Sequence, residues 1–297
     1  MIDKVNELLI GACDLHIHGG PDVVPRRQDI IQIAEEAKSA GMSAVVFKDH
    51  NTCTADRAYV ASKVVSGISI FGGLVLNHSV GGFNAHAVDM AIKLGARVIW
   101  MPSVDASYTI QKVVVESETP WLKQAVWLSR PEQGLSIFKK GGEANEIAPE
   151  IKEILYLIRE ADIILDTCHL SPKETFILVK EAKNIGLSKI AVSHPNCSVN
   201  RMSISEQKEL AEMGAYFTYA FLPCMPMIDG QKPTEIAKMI TEVGPKHSIL
   251  ITDFGQLQNP TVVEGMRMYI THMLLAGLKE SDIKLMINEN PSKLLNT

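Results

Sequence analysis

Eight short apolar runs alternate with helical stretches along this chain of 297 residues, and that rhythm constrains the fold more than any single motif. The runs lie at 12–20, 43–48, 69–77, 97–101, 162–168, 189–193, 215–219 and 248–252. Most are rich in Val, Ile and other apolar residues, as expected of strands buried on both faces. Between them the apolar spacing is helical, at 28–40, 54–65, 84–94, 149–160, from Ser171 onward, and at 205–213, 234–243 and 262–276. In the first of these, Ile30, Ile33, Ala34 and Ala37 share a face and Gly41 closes it. In the fifth, Pro172 and Glu174 suit a first helical turn. One strand and one helix in about thirty residues is the unit of a parallel crossover. Eight units without a dividing linker predict one domain, 1–297, folded as an α/β (β/α)8 TIM barrel. In such a barrel the chemistry sits at the C-terminal ends of the strands.

The rhythm breaks once, in an insertion at 103–146 after the fourth strand. It holds Pro120, Trp121, Trp127 and Pro131, an expected strand at 134–138 and a turn at 139–142. A connection of this length is expected to be a lid or binding loop, with a plain surface hairpin as the alternative.

Composition narrows the partners. With 46% hydrophobic and 21% charged residues the chain is ordinary for a globular protein. A net charge of -5 with interspersed signs argues against nucleic acid and against an anionic membrane surface. Five cysteines, an odd number without a CxxC pair, read as reduced thiols. No secretory signal or membrane-length apolar run is visible in the sequence, so a cytoplasmic setting is expected. The expected partner is a small-molecule substrate, and homo-oligomerisation is left open.

The polar residues that end the strands carry the chemistry. Period-two geometry puts His16 and His18 on one face near the end of the first strand, where two neutral imidazoles can share one divalent ion. Lys48 ends the second strand, Asn77-His78 the third, His169 the fifth, His194 the sixth and Asp253 the eighth. Each has an ordinary structural explanation, such as His169 or Asp253 capping the next helix. A barrel, however, gathers them at one mouth. Imidazole and carboxylate donors suit zinc, and also iron or manganese.

This order, His-x-His on strand one, His on strands five and six and Asp on strand eight, resembles the amidohydrolase superfamily of metal-dependent hydrolases. The resemblance spans nearly the whole chain. The terminal segment from Asn288 through Pro291 to Leu295 is similar to the Asn-Pro-Ala-Lys-Leu-Leu segment ending many members. The resemblance implies that His16, His18 and Asp253 bind the more buried metal. It further implies that His169, with His194, binds a second metal or the substrate, and that Asp253 is the base for the metal-activated water. The implied reaction is attack on a carbonyl of an amide, imide, lactone or ester. A decarboxylase, a phosphoesterase and a barrel that binds metal or ligand without turnover are the alternatives.

The chain departs from the pattern at strand four, which has no lysine or acid where many binuclear members carry a carboxylated lysine. Lys48 on strand two is the nearest substitute. Next to a divalent ion it is expected to be carboxylated and bridging, or an amine turned toward substrate. The catalytic set is therefore Asp253, His194 and Lys48, with one or two ions, most simply zinc. Arg26, His50, His78 and Arg201 are the expected substrate-binding residues, and the arginines suit an anionic group.

Overall fold

In the structure, a computed structural model describing residues 1–143 and 145–297, eight parallel strands form one sheet in sequence order. They are β1 (Cys13–Ile17), β2 (Ala44–Phe47), β3 (Ser69–Val75), β4 (Val98–Trp100), β5 (Ile164–Asp166), β6 (Ile190–Ser193), β7 (Tyr216–Ala220) and β8 (Ser248–Ile251). The sheet closes on itself just beyond the last strand: Asp253 N–H donates to the His16 carbonyl and His18 N–H to the Phe254 carbonyl, at 3.0 and 2.8 Å. This is the (β/α)8 barrel expected from the alternating runs. Almost every strand residue is buried, because inward side chains fill the barrel and outward ones meet the helices.

Helices follow the strands within a residue or two of the expected limits, and local chemistry sets their starts. Asp29 accepts from Gln32 N–H and so begins the helix Ile30–Ser39. Ser171 and Glu174 form the reciprocal pair that starts Pro172–Asn184, and Ser203 with Glu206 starts Ile204–Glu212. A helix at Ile2–Leu9 precedes β1, and its short, uncapped sequence gave no periodic signal long enough to predict it. At the other end, Glu280–Lys284 and Asn290–Leu295 form the expected helical tail. Among the described residues no helix is long and apolar enough to cross a membrane.

The insertion after β4 is mostly irregular. It contains the short helix Ser107–Ile110 and single helical turns, and Ala144 lies outside the described residues. The strand expected at 134–138 is not formed. Leu135 and Phe138 make only isolated bridges, to Ala106 and Ile147. No neighbouring strand runs alongside to complete a ladder, so the apolar run serves as a packed loop instead, with Ile137 fully buried.

Two local features set the mouth of the barrel. The β1–β2 register shifts between Asp14 and Ile17, a bulge spanning His16. At the β8 end, a Cβ on Gly255 would stand 1.9 Å from the His18 carbonyl oxygen. Only glycine allows the chain after Asp253 to press this closely on β1.

Candidate active site

Eight of the expected residues converge at the C-terminal ends of the strands. His16 and His18 are both buried, their rings 5.6 Å apart, and both present Nε2 to the same oxygen, Asp253 Oδ1, at 3.4 and 3.1 Å. His194 approaches the other oxygen, Oδ2, at 3.9 Å, and its ring is 5.3 Å from those of both His16 and His169. Lys48, His50 and Arg26 complete the group along the wall of a cavity of about 400 Å³ that His18, His169, His194 and Asp253 also line. Ligand atoms of His16, His194 and Asp253 all lie within 4.8 Å of one another, the tightest set of donors among the described residues. His194 thus takes the place in the compact set that the resemblance gives to His18.

The backbone is bent to make this convergence. Cys168, His194 and Asp253, at the ends of β5, β6 and β8, have φ of 48°, 31° and 57°. Non-glycine residues rarely adopt such values, and they persist where the surrounding fold imposes them.

Burial sets the protonation states. It is the largest cause holding His16, His18, His50 and His169 well below the usual imidazole range, and nearby positive charge adds to it. For His194 burial brings the value to about 4 even though Asp253 opposes the shift. The rings are therefore neutral near pH 7, the form that offers a lone pair. Burial also raises Asp253, against the pull of His194, Lys48 and Arg26. Beneath the mouth, Asp14 and Asp166 are buried and raised to about 7 and about 6 for the same reason. Asp14 accepts from the Thr252 hydroxyl and backbone N–H and helps fasten β8 to β1.

Partners orient the rings. Asn200 Nδ2 donates to the Cys168 and Ser193 carbonyls at 2.7 and 2.8 Å, which turns its Oδ1 toward His194 Nδ1 at 3.3 Å. The hydrogen of His194 therefore sits on Nδ1, and Nε2 keeps a free lone pair facing Asp253. His18 has the opposite setting. Its Nδ1 faces Arg26 Nη2 at 3.3 Å, a group that only donates, so its hydrogen belongs on Nε2 and points at Asp253. Arg26 is itself held by Asp22 at 2.6 Å. His169 meets Thr109, and His50 meets Ser103 while its ring stacks on His18 at 5.0 Å. Sequence reading missed Asn200 and Asp22: neither ends a strand, and the i,i+4 spacing of Asp22 to Arg26 falls in a loop where no helical pattern draws notice.

Two expected substrate-binding residues do not reach the cavity. His78 is exposed, and its Nε2 is spent on the Gln133 carbonyl at 3.0 Å, because the turn after β3 carries it outward to the insertion. Arg201 is exposed just before the helix Ile204–Glu212 and does not line the cavity. From the insertion, Val104, Trp121, Leu122, Gln124, Ala125 and Trp127 line it, whereas the turn at 139–142 does not.

A divalent ion fits the residues present. His16 is buried with both ring nitrogens lacking a hydrogen-bond partner among the described residues, a costly state unless a ligand takes up its lone pair. Two imidazoles and a carboxylate around one point are a donor set for a catalytic ion with an open position.

The fold is shared with metal-dependent hydrolases. An amidohydrolase from Pseudomonas aeruginosa superposes with a TM-score of 0.61 at 14% identity, covering 99% of this chain and 98% of that one. A dipeptidase described as a metallopeptidase gives 0.63 at 13% identity, covering 97% and 98%. An organophosphorus hydrolase from Deinococcus radiodurans gives 0.61 at 14% identity, covering 96% and 92%. At these identities the likeness is one of fold. No curated protein matches the sequence. Residues 11–218 match the model described as "Family of unknown function (DUF6282)", and the chain belongs to that family.

Proposed function

We infer that the protein is a metal-dependent hydrolase that attacks a carbonyl, in an amide, imide, lactone or ester, of a small anionic molecule in the cytoplasm. The observation that carries this reading is His16, a buried imidazole with both nitrogens unpartnered, set within 4.8 Å of donor atoms on His194 and Asp253. Bound by these three, a divalent ion, most simply zinc, supplies the lowered water pKa and the carbonyl polarisation that hydrolysis at neutral pH needs.

The chain's own residues do the rest. Asp253 is the general base: its carboxylate is buried, its affinity for a proton is raised, and the cavity opens beside it. His18, with its hydrogen on Nε2, stands 3.1 Å from Asp253 Oδ1 and helps to position the carboxylate. Asn200 keeps His194 in the tautomer with a bare Nε2. His169 and His50 also line the cavity, beside His194 and His18, where they can donate to the substrate or to its leaving group. The insertion between 104 and 127 acts as a lid: it places two tryptophans on the cavity wall and excludes water from the reacting groups.

Metal analysis after dialysis against zinc, followed by a panel of lactones, amides and esters with and without chelator, tests this. Retention of zinc and chelator-sensitive hydrolysis restored by zinc is expected. Hydrolysis indifferent to chelator overturns the reading. A phosphotriester belongs in the panel, because the organophosphorus hydrolase shares the barrel. Turnover of that compound alone would move the assignment to phosphoester chemistry.

A further inference from the structure

Lys48 is 2% exposed, yet it has no acidic partner. Its Nζ has a single hydrogen-bond partner among the described residues, the Cys168 thiol at 3.4 Å, and it lies 5.8 Å from the Trp100 ring centre. No carboxylate oxygen of a described residue comes within the 4.0 Å of an ion pair. A thiol accepts weakly, and burial pushes Cys168 up to about 12, so it does not serve as a thiolate counter-ion. A buried ammonium in this state is costly unless an anion joins it.

The other charges around the cavity are committed. Arg26 is the second cation in the wall, and Asp22 neutralises it through both Nε and Nη2, at 2.7 and 2.6 Å. Arg57, behind the same loop, is held by Asp49 at 3.1 Å. Asp253 is turned to the three histidines and acts on Lys48 only from beyond ion-pair distance. Asp166 and Asp253 attract Lys48 only at longer range, so among the described residues one positive charge lines the cavity without a direct partner.

A carboxylated lysine would fill the same space differently. It would bring one negative charge and two oxygens, an arrangement suited to bridging two divalent ions. The described residues offer a single compact donor set for one ion.

We propose that Lys48 is an anion subsite and that the substrate carries a single carboxylate, which enters first and pairs with Nζ. This rests on the hydrolase reading above only in calling the bound molecule a substrate. One ammonium is a point charge with three donors, suited to a monoanion. A phosphate would call for a guanidinium fork or a nest of backbone N–H groups beside it. The rest of the molecule is largely apolar: Val23, Val24, Trp121, Leu122, Trp127 and Leu257 line the cavity, with a few amides such as Gln124 and Gln256 among them. The substrate class is thus an apolar or aromatic acid whose scissile carbonyl lies between its carboxylate and its apolar end.

The test compares 3-phenylpropionate with its neutral amide, 3-phenylpropionamide, by titration calorimetry on the full chain loaded with zinc. The native protein is expected to prefer the acid by about tenfold to a hundredfold. Lys48→Met should remove that preference and leave zinc content unchanged. Lys48→Gln should do the same and guards against a folding defect in the first variant. A preference that survives both variants overturns the proposal, because the acid would then be bound by the metal or by Arg26. The two readings separate cleanly. If the protein holds no zinc but the preference still depends on Lys48, the subsite stands and the hydrolase reading falls. If zinc-dependent hydrolysis treats acids and their neutral analogues alike, the reverse holds.

Discussion

The two ends of the barrel bury polar groups in opposite ways. At the N-terminal end partners are at hand, with the buried Arg97 Nε as an exception. Asn290 Nδ2 donates to the Pro245 and Ser248 carbonyls at 2.9 and 2.7 Å and so ties the terminal helix to the start of β8. Ser43 Oγ donates to the Gly11 carbonyl at 2.8 Å and lies 3.0 Å from the Cys13 thiol, which Ser292 also approaches. At the C-terminal end, His16 has two unpartnered nitrogens, Lys48 has no counter-charge, and three residues hold strained backbone. The difference divides labour: one end supplies stability, and the other keeps bonding capacity free for a ligand. The terminal segment from Asn288 to Leu295 belongs to the stabilising end, with Asn290 and Leu294 buried in it.

The largest effect should come from the functional end. His16→Ala is expected to lower zinc affinity by more than about a hundredfold, beyond the range typical of outer-shell changes. Equilibrium dialysis with metal analysis measures it. Because the His16 ring makes no hydrogen bonds, thermal unfolding of the metal-free variant should shift less than a bond-breaking change at the other end does. Unchanged zinc retention would remove the contrast between the ends.

Asn290→Ala is that change. One buried and one half-buried carbonyl lose their donor, so a loss of about 2 kcal/mol in unfolding free energy is expected from denaturant titration. Zinc content and probe binding should stay as in the native protein. A loss of zinc here would mean that the two ends are coupled, and the division of labour would fail.

Asn200→Ala sharpens the comparison, since Asn200 works at the functional end without facing the ligand. It sets the His194 tautomer, so a tenfold to hundredfold drop in zinc affinity, on the order seen when such orienting partners are lost, is expected. Two carbonyls also lose their donor, so the variant should be less stable as well. A stability loss with full zinc affinity would show that Asn200 is only a structural tie.

Sequence reading reached the barrel and the residues at its mouth because both obey periodic rules. Strand runs and helical spacing repeat eight times, and His16, His18, Lys48, His169, His194 and Asp253 each end a run. What it missed obeys no period. Asn200 and Asp22 lie in loops, and their meaning appears only when β5, β6 and the loop after β1 are brought together. His78 also ends a run, but a tight turn sends it outward, which no local pattern could reveal. The helix Ile2–Leu9 was missed because its eight residues present too little of a helical face to be recognised.

The smallest expected effect concerns the lid, where satisfied and unsatisfied surfaces meet. Trp127 is 77% exposed and yet lines the cavity, an apolar ring left in water at its entrance. Trp127→Ala should change stability by no more than about 0.5 kcal/mol, as for other surface sites. It should nevertheless weaken 3-phenylpropionate and its amide alike, by several-fold, because the lost contact is with the apolar body and not with the charge. That equal weakening distinguishes Trp127 from Lys48, whose replacement should act on the acid alone. Shortening the turn at 139–142 is the matched control, since none of its residues reaches the cavity. If that control weakens binding as much as Trp127→Ala does, the insertion acts as one body and its lining residues are not the part that selects substrate. If only Trp127→Ala acts, the lid is confined to the stretch from 104 to 127, and the remainder of the insertion belongs with the stabilising parts of the barrel.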